Sequence, residues 1–171
     1  MGAVKWAEER WGQPQYGCVI TFRIANNVAQ FDPYWYGIGW AGDTVHSFYL
    51  ETLGTIDWTL DRKIWGFKAR QRYPEYQKGL LAESWEQPDP LTVIFHIRKG
   101  VHWQNKPPVN GRELTAYDVA WSMDRSWNNP RSWLGGNSPV AKTKESIEAV
   151  DKLTVIIKVN PPIGQTMDVL K

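Results

Sequence analysis

The chain has 171 residues, of which 42% are hydrophobic, and this is enough for one modest domain with a packed core. The formal net charge of +2 is small and dispersed, and no predicted helix interleaves Lys and Arg with aromatic residues, so nucleic acid is not the expected partner. One cysteine, Cys18, excludes an internal disulfide and has no partner for a metal site. The 11 tryptophans are unusual, because indoles are enriched where a surface grips a ligand, although most are expected in the core.

Motifs that would indicate catalysis or a cofactor are missing from the sequence. The serines lack a G-x-S-x-G frame, and the histidines form neither H-x-x-x-H nor H-x-H. No glycine-rich loop with a lysine follows a strand, so no nucleotide site is indicated. Carboxylate pairs such as Glu8 and Glu9 are typical of ordinary surface charge. We therefore expect a protein that is not an enzyme and needs no cofactor.

The N-terminal quarter combines an arm, a strand and an aromatic segment. Residues 1–17 are polar and aromatic, without a secretion signal, and no stretch of the chain approaches the ~18 apolar residues of a membrane helix. Cys18–Ala25 is rich in β-branched residues and predicts a strand. Pro33 biases Asp32 towards extended backbone, so the chain should leave the sheet there. Tyr34–Gly42 then alternates aromatic rings with glycines.

The next stretch predicts a helix, a short strand and an insertion. Asp43 can cap a helix over Asp43–Leu53, and Gly54 can end it. Ile56–Trp58 predicts a short strand. The basic, aromatic residues 61–78 could form a longer hairpin or a mobile loop, and a solvated surface loop is the preferred interpretation.

A hairpin is the strongest local signal in the sequence. Leu81–Glu86 and Leu91–Arg98 predict two strands. In the second strand, apolar residues alternate with a mostly polar set: Leu91, Val93, Phe95 and Ile97 alternate with Thr92, Ile94, His96 and Arg98. Gln87–Pro90 contains the sequence Pro-Asp-Pro and predicts the turn between them. A loop over Lys99–Leu114 follows.

A helix should follow this loop, over Thr115–Trp127. Thr115 is a good N-cap, and Asp118 stands three residues later in the capping-box position. Its apolar face, at helical spacing, consists of Val119, Ala120, Met123 and Trp127.

The C-terminal third predicts a loop and a second pair of strands. Asn128–Pro139 is dense in Asn, Pro and Gly, which are typical of a loop. Leu153–Val159 predicts a strand that pairs with the segment before it across Asp151 and Lys152. Residues 161–171 predict the start of a helix.

Three motifs resemble those of a known family, the bacterial extracellular solute-binding proteins of the peptide/nickel-binding ABC importers (family 5). They are LAESW at Leu81–Trp85, FHIRKGVHW at Phe95–Trp103 and LTAYDVAWS at Leu114–Ser122. Their order and spacing are those of the family, and relatives are much longer than this chain. The resemblance therefore implies an N-terminal fragment of such a protein.

The resemblance implies an α+β fold, with a mainly antiparallel sheet and packed helices, as the N-terminal part of a type II periplasmic-binding-protein-like fold. Residues 1–17 would form an arm, and 18–42 the opening strand and cleft-lining segment of the main lobe. Residues 43–160 would form a smaller α+β subdomain, and 161–171 the start of a truncated helix.

The family also suggests where a ligand would bind. The residues just after the Asp-Pro step line the family's ligand cleft, and a residue of the loop that follows the Thr115–Trp127 helix reaches it as well. The matching positions are Tyr34, Trp35, Tyr36, Trp40, Trp133 and Arg131.

The implied function is capture of a small solute, a peptide, oligosaccharide or other compound, for the permease of an ABC importer. The protein would be periplasmic or extracellular and would meet the membrane only through the importer or a missing N-terminal anchor. Because two lobes close over the solute in this family, we expect this chain alone to bind weakly or not at all. A secreted carbohydrate-recognition module, with exposed Trp and Tyr stacked on sugars, is the alternative.

Overall fold

The computed structural model describes residues 17, 19, 21, 23, 32, 34, 46, 48–66, 74–137 and 142–160. A short 3-10 turn spans Pro74–Tyr76, and a π-helical turn spans Trp133–Asn137. The regular elements, in chain order, are β1 (Gly54–Ile56), β2 (Gln77–Gly79), β3 (Ala82–Asp89), β4 (Thr92–Ile97), α1 (Ala116–Asn128), β5 (Lys144–Ala149) and β6 (Thr154–Val159).

Four of the strands form one antiparallel sheet in the order β3-β4-β6-β5. The predicted hairpin and the predicted C-terminal strand pair are both present, and the second strand of each lies at the centre of the sheet. The hairpin turn is tighter than the sequence predicts, because β3 continues to Asp89, which pairs with Thr92. A register shift between Glu86 and Asp89 accommodates Pro88, which an edge strand tolerates.

The core lies on one face of this sheet. Val93, Phe95 and Ile97 alternate on β4 and are buried, as their period of two predicts. On β6 the residues Val155 and Ile157 face them, because Phe95 pairs with Val155 and Val93 with Ile157. The opposite face is more exposed, and its Ile94 and Ile156 are only half-buried.

Helix α1 covers the core face, as predicted. Val119 and Trp127 are buried in the same cluster as the β4 and β6 side chains, and Met123 packs against it. The helix begins where predicted, because the Thr115 N–H donates to Asp118 Oδ2 over 3.0 Å and so satisfies a terminal donor.

The loop before α1 is fixed to the helix by the Arg112 guanidinium. Its Nη1 and Nη2 donate to the two Asp118 carboxylate oxygens over 2.7 and 2.5 Å. Arg112 also lies over the Trp103 ring, 5.9 Å from its centroid. One acidic side chain therefore caps α1 and fastens the loop.

The helix predicted over Asp43–Leu53 ends early. His46 is helical, residues 48 and 49 form a turn, and residues 50–53 are outside any helix. The reason is tertiary, because Leu80 and Ala82 N–H groups donate to the Leu53 carbonyl. These bonds connect the Leu53 carbonyl to residues far along the chain and not to a helix, and the strand that follows is β1 at Gly54–Ile56, two residues before the predicted Ile56–Trp58.

The preferred interpretation of residues 61–78 as a solvated loop fits residues 61–66, which lie outside any helix or strand and are exposed apart from Trp65, but it is wrong at the C-terminal end. Residues 77 and 78 belong to β2, which pairs antiparallel with β1, so the alternative of a longer hairpin describes this end better. Trp65 is buried and stacks on Tyr76 with ring centroids 5.3 Å apart. The described part of the segment is therefore held by this ring contact and also by an ion pair, in which Lys78 Nζ lies 3.4 Å from Asp57 Oδ1.

The opening strand predicted over Cys18–Ala25 is not observed at the positions that the structure describes. Val19, Thr21 and Arg23 lie outside any strand, and Val19 is 93% exposed. A strand requires a hydrogen-bonded neighbour, and within the described ranges none lies beside these residues. Residues 1–16 of the predicted arm, the helix start predicted over 161–171 and most of the aromatic segment fall outside the described residues. The division into 1–17, 18–42, 43–160 and 161–171 stays a prediction.

Candidate functional site

The candidate site lies along the C-terminal half of helix α1, where Tyr34 contacts it. The Tyr34 hydroxyl hydrogen-bonds Ser122 Oγ, and the Arg125 guanidinium lies over the Tyr34 ring, 4.6 Å from its centroid. Ser122 and Arg125 are three residues apart, so both project from one face of the helix. A residue predicted to line a ligand cleft is thus packed on a helix that begins 82 residues later in the chain.

Asp32 completes the contact between this segment and the helix. Its Oδ1 accepts the Tyr34 N–H over 3.0 Å, and its Oδ2 accepts Arg125 Nη2 over 3.1 Å. The Tyr34 N–H and then the Arg125 guanidinium lower the pKa of the Asp32 carboxyl below its ordinary value. The pair is solvent-exposed, so its contribution lies in orientation more than in stability.

Asn129, the residue after α1, brings two predicted site residues together. Its Nδ2 donates to the Tyr34 carbonyl over 3.3 Å, and its Oδ1 accepts the Arg131 N–H over 2.9 Å. Tyr34 and Arg131 are far apart in the chain, yet both backbones are fixed on one amide side chain. The two predicted positions therefore lie close to the end of α1, and their role in binding a ligand stays a prediction.

The loop that carries Arg131 and Trp133 is tied back to the helix. Ser132 is buried, its hydroxyl donates to the Ser126 carbonyl, and its Oγ accepts the Gly135 N–H over 2.8 Å. Gly135 has no room for a side chain, since a Cβ there would lie 2.4 Å from the Asn129 carbonyl oxygen. The sequence predicts this loop from its composition, and the structure gives it a fixed path.

An open depression of about 370 Å³ lies beside these contacts. It is lined by Trp121, Asp124, Arg125, Asn128 and Asn129. Trp121 is 67% exposed, and Arg125 lies 5.8 Å from its ring centroid. The surface combines a flat apolar ring with amide and charged groups, and these are suited to stacking and orienting a small polar solute.

Lys144 on β5 orders the polar side of the depression. Its ammonium donates to Asp124 Oδ1 over 2.7 Å and to Asn128 Oδ1 over 2.6 Å. Asn128 in turn donates to Asp124 Oδ2 over 2.7 Å. These side chains are therefore oriented by one another before any solute arrives.

The six predicted site residues differ in how far the structure describes them. Tyr34 and Arg131 are described and lie on either side of Asn129. Trp133 belongs to the π-helical turn, but its side chain is outside the described residues, as are Trp35, Tyr36 and Trp40 altogether. The prediction that these six residues contact a ligand therefore stays a prediction.

Sequence reasoning missed Ser122, Arg125 and Asn129. Trp121 and Arg125 stand four residues apart, a spacing that places them on one helix face, opposite the apolar face of α1. That spacing was available in the sequence, but the partner of this face was not. Across the described ranges, no group of three or more His, Cys, Asp or Glu side chains could hold a metal ion.

Comparison with known proteins identifies the family. Residues 77–170, more than half of the chain, match the model of bacterial extracellular solute-binding proteins, family 5 Middle. The matched region includes α1, both hairpins of the four-stranded sheet and the loop that carries Arg131. The chain therefore belongs to the bacterial extracellular solute-binding proteins of family 5, and the resemblance given by its three motifs is confirmed.

Individual relatives agree with this assignment. The chain is 48% identical over 62 residues to the dipeptide-binding protein of Escherichia coli strain K12, and this match covers 34% of the chain and 12% of the relative. MoaA of A. tumefaciens R10, solved with mannopinic acid, is 26% identical with a TM-score of 0.59, and the match covers 81% of this chain and 24% of MoaA.

NikZ of Campylobacter jejuni, solved with Ni(L-His), shares the fold. Its TM-score is 0.60 at 21% identity, and the match covers 85% of this chain and 24% of NikZ. The predicted α+β fold of the type II binding-protein kind is therefore confirmed. The chain spans about an eighth of the dipeptide-binding protein and about a quarter of each solved structure.

Proposed function

We propose that this protein captures a small solute outside the cytoplasmic membrane and delivers it to the permease of an ABC importer. The observation that carries the proposal is the family match over residues 77–170, which contain the helix and loop of the candidate site. The site supplies flat rings and oriented polar groups, which suit reversible binding. We infer binding without chemical conversion of the solute, since the family is one of binding proteins.

A peptide or a sugar-like compound is the solute class that we propose. The E. coli relative is a dipeptide-binding protein, and MoaA was solved with mannopinic acid. Exposed Trp121 beside the Asp124, Asn128 and Asn129 side chains offers stacking area together with hydrogen-bonding groups. Both solute classes present polar groups along a partly apolar frame, so they use the same kind of surface.

Arg131, with the aromatic residues Trp35, Tyr36, Trp40 and Trp133, is proposed to contact the solute beside Tyr34. The support is that Asn129 holds the Tyr34 and Arg131 backbones at one end of α1. Capture would proceed by closure of two lobes, so the bound conformation is favoured by its extra contacts with the solute. The protein would act in the periplasm or outside the cell. No helix in the part of the chain that the structure describes is long and apolar enough to cross a membrane.

Mass spectrometry of the small molecules that co-purify with the native protein would test the proposal. The protein is isolated from its own cells under non-denaturing conditions, washed and then denatured to release what it holds. We expect a peptide or a sugar-like compound in roughly equimolar amount, unchanged after incubation with the protein. Conversion of that compound during incubation, or release of no small molecule together with no thermal stabilisation by peptides or sugars, would contradict it.

A further inference from the structure

Every polar group of Tyr34 is already engaged by the protein itself. Its N–H donates to Asp32, its carbonyl accepts from Asn129, and its hydroxyl hydrogen-bonds Ser122. One face of its ring is covered by the Arg125 guanidinium. Both backbone groups, the hydroxyl and one face of the ring of Tyr34 are therefore used by contacts within the protein.

We propose that Tyr34 is a positioning residue, which fastens the start of the aromatic segment to helix α1. Its partners on and after the helix, Ser122, Arg125 and Asn129, form what we call the Tyr34 bracket. The bracket sets where the segment begins relative to the Arg131 loop, because Asn129 binds both. The role of this arrangement in solute affinity rests on the proposed function, whereas the fastening itself does not.

Arg125 is the part of the bracket that the geometry makes hardest to replace. It donates to Asp32 Oδ2 and covers the Tyr34 ring, and its guanidinium also lies 5.8 Å from the Trp121 ring centroid. A planar guanidinium can do both at once, because it donates in its plane and stacks through its faces. A lysine could keep the ion pair but would lose the flat contact.

Amide hydrogen exchange of the Tyr34 N–H, measured by NMR on the 171-residue chain, tests the fastening without any solute. We expect Arg125→Ala to accelerate exchange about tenfold or more. Arg125→Lys should give an exchange rate between those of Arg125→Ala and the unchanged chain. The matched control is Arg62→Ala, which removes an exposed arginine near β1 and should leave the rate unchanged. A rate within about twofold of the unchanged chain in Arg125→Ala would overturn the proposal.

A double-mutant cycle separates positioning from direct contact. Tyr34→Phe and Ser122→Ala remove opposite ends of one hydrogen bond, so each should accelerate Tyr34 exchange equally and the double variant should add nothing further. In the native protein, both single variants should also weaken binding of the co-purified solute equally. Loss of affinity in Tyr34→Phe with none in Ser122→Ala would instead show that the hydroxyl meets the solute and overturn the positional role. If no solute co-purifies, the proposed function fails while the exchange measurements still decide the fastening.

Discussion

Asp118 shows how one side chain can serve two structural tasks. Its carboxylate accepts the Thr115 N–H at the start of α1 and both Nη groups of Arg112 from the preceding loop. The Arg112 guanidinium, with help from the Thr115 bonds, lowers the pKa of Asp118 to about 2. The side chain is 18% exposed, so these bonds are only partly screened by water. Helix initiation and loop path are thereby linked at one residue.

Asp118→Asn should destabilise the chain by about 1–2 kcal/mol at neutral pH, because it removes the charge that Arg112 binds and weakens the cap. The value is discounted because Arg112 is about half exposed. Urea unfolding at pH 7 measures it, and Glu83→Gln on the exposed side of β3 is the control. Equal stability of Asp118→Asn and the unchanged chain would show that the Arg112 contact is not formed.

The same contact predicts a pH dependence. Because the pKa of Asp118 is about 2 in the folded chain and 3.8 ordinarily, the unfolded state binds more protons between these values. The stabilisation that the ionised Asp118 side chain contributes is therefore fully present above the ordinary pKa and declines as the pH falls towards 2. Between pH 5 and about 2 the unchanged chain should lose more stability than Asp118→Asn, measured by urea unfolding across that range. Parallel pH profiles for the two proteins would contradict this.

At the residue scale, the sequence predicted contacts that are local and missed those that are not. The Thr115–Asp118 cap spans three residues and follows a known pattern, so it was predictable. Arg125 contacts Asp32, which lies 93 residues away in the chain, and no local sequence pattern indicates such a pair. The same is true of Ser122 and Asn129, whose partner is Tyr34.

At the element scale, the four-stranded sheet depends on one apolar face. Ile157 is fully buried on β6, whereas its neighbour Ile156 points to the other face and is half-buried. Hairpins β3–β4 and β5–β6 contain the alternation that made them predictable. The order β3-β4-β6-β5 places β4 and β6, the two most apolar strands, next to each other at the centre of the sheet. Burial of their side chains explains this order only in part.

Ile157→Ala and Ile156→Ala are a matched pair, since the same change is made at adjacent positions of one strand. Ile157→Ala should lower the free energy of unfolding by about 2–5 kcal/mol, because it leaves a cavity under α1. Ile156→Ala should lower it by less than about half as much, because its site is open to water. Denaturant unfolding of both variants gives the comparison, and equal losses would mean that the core lies elsewhere.

The pairing of β1 with β2 gives a second matched pair, Gly54 and Gly79, which lie opposite each other. A Cβ at Gly79 would lie 2.1 Å from the Ala82 carbonyl oxygen, whereas at Gly54 its nearest neighbour would be at 3.5 Å. Gly79→Ala should therefore destabilise by about 1–3 kcal/mol, and Gly54→Ala by less than about 0.5 kcal/mol. Thermal unfolding measures both, and tolerance of Gly79→Ala would contradict the close approach of β2 to β3.

Elements that depend on distant partners were the ones the sequence misjudged. The helix expected over Asp43–Leu53 had a plausible cap and apolar face, but the Leu53 carbonyl accepts backbone bonds from Leu80 and Ala82 and lies outside any helix. The 61–78 stretch was judged by its charge, yet Trp65 and Tyr76 stack and β2 pairs with β1. Local sequence preference for helix or loop therefore predicts structure poorly where such contacts can form.

At the scale of the whole molecule, the described residues form a sheet and helix that match one part of the longer MoaA and NikZ chains. The match covers about a quarter of the MoaA and NikZ chains, although it covers more than four fifths of this one. A small-molecule site usually encloses most of its ligand's surface, so contacts from one part of a binding protein should give only part of the affinity. The open form of the depression beside Trp121 agrees with that expectation.

Isothermal titration calorimetry with the co-purified solute tests the central claim most directly. The solute is titrated into the native protein and, separately, into the 171-residue chain. We expect stoichiometric binding to the native protein and an affinity at least about 100-fold lower, or no measurable binding, for the chain. Equal affinity in the two titrations, or no binding by the native protein, would contradict it.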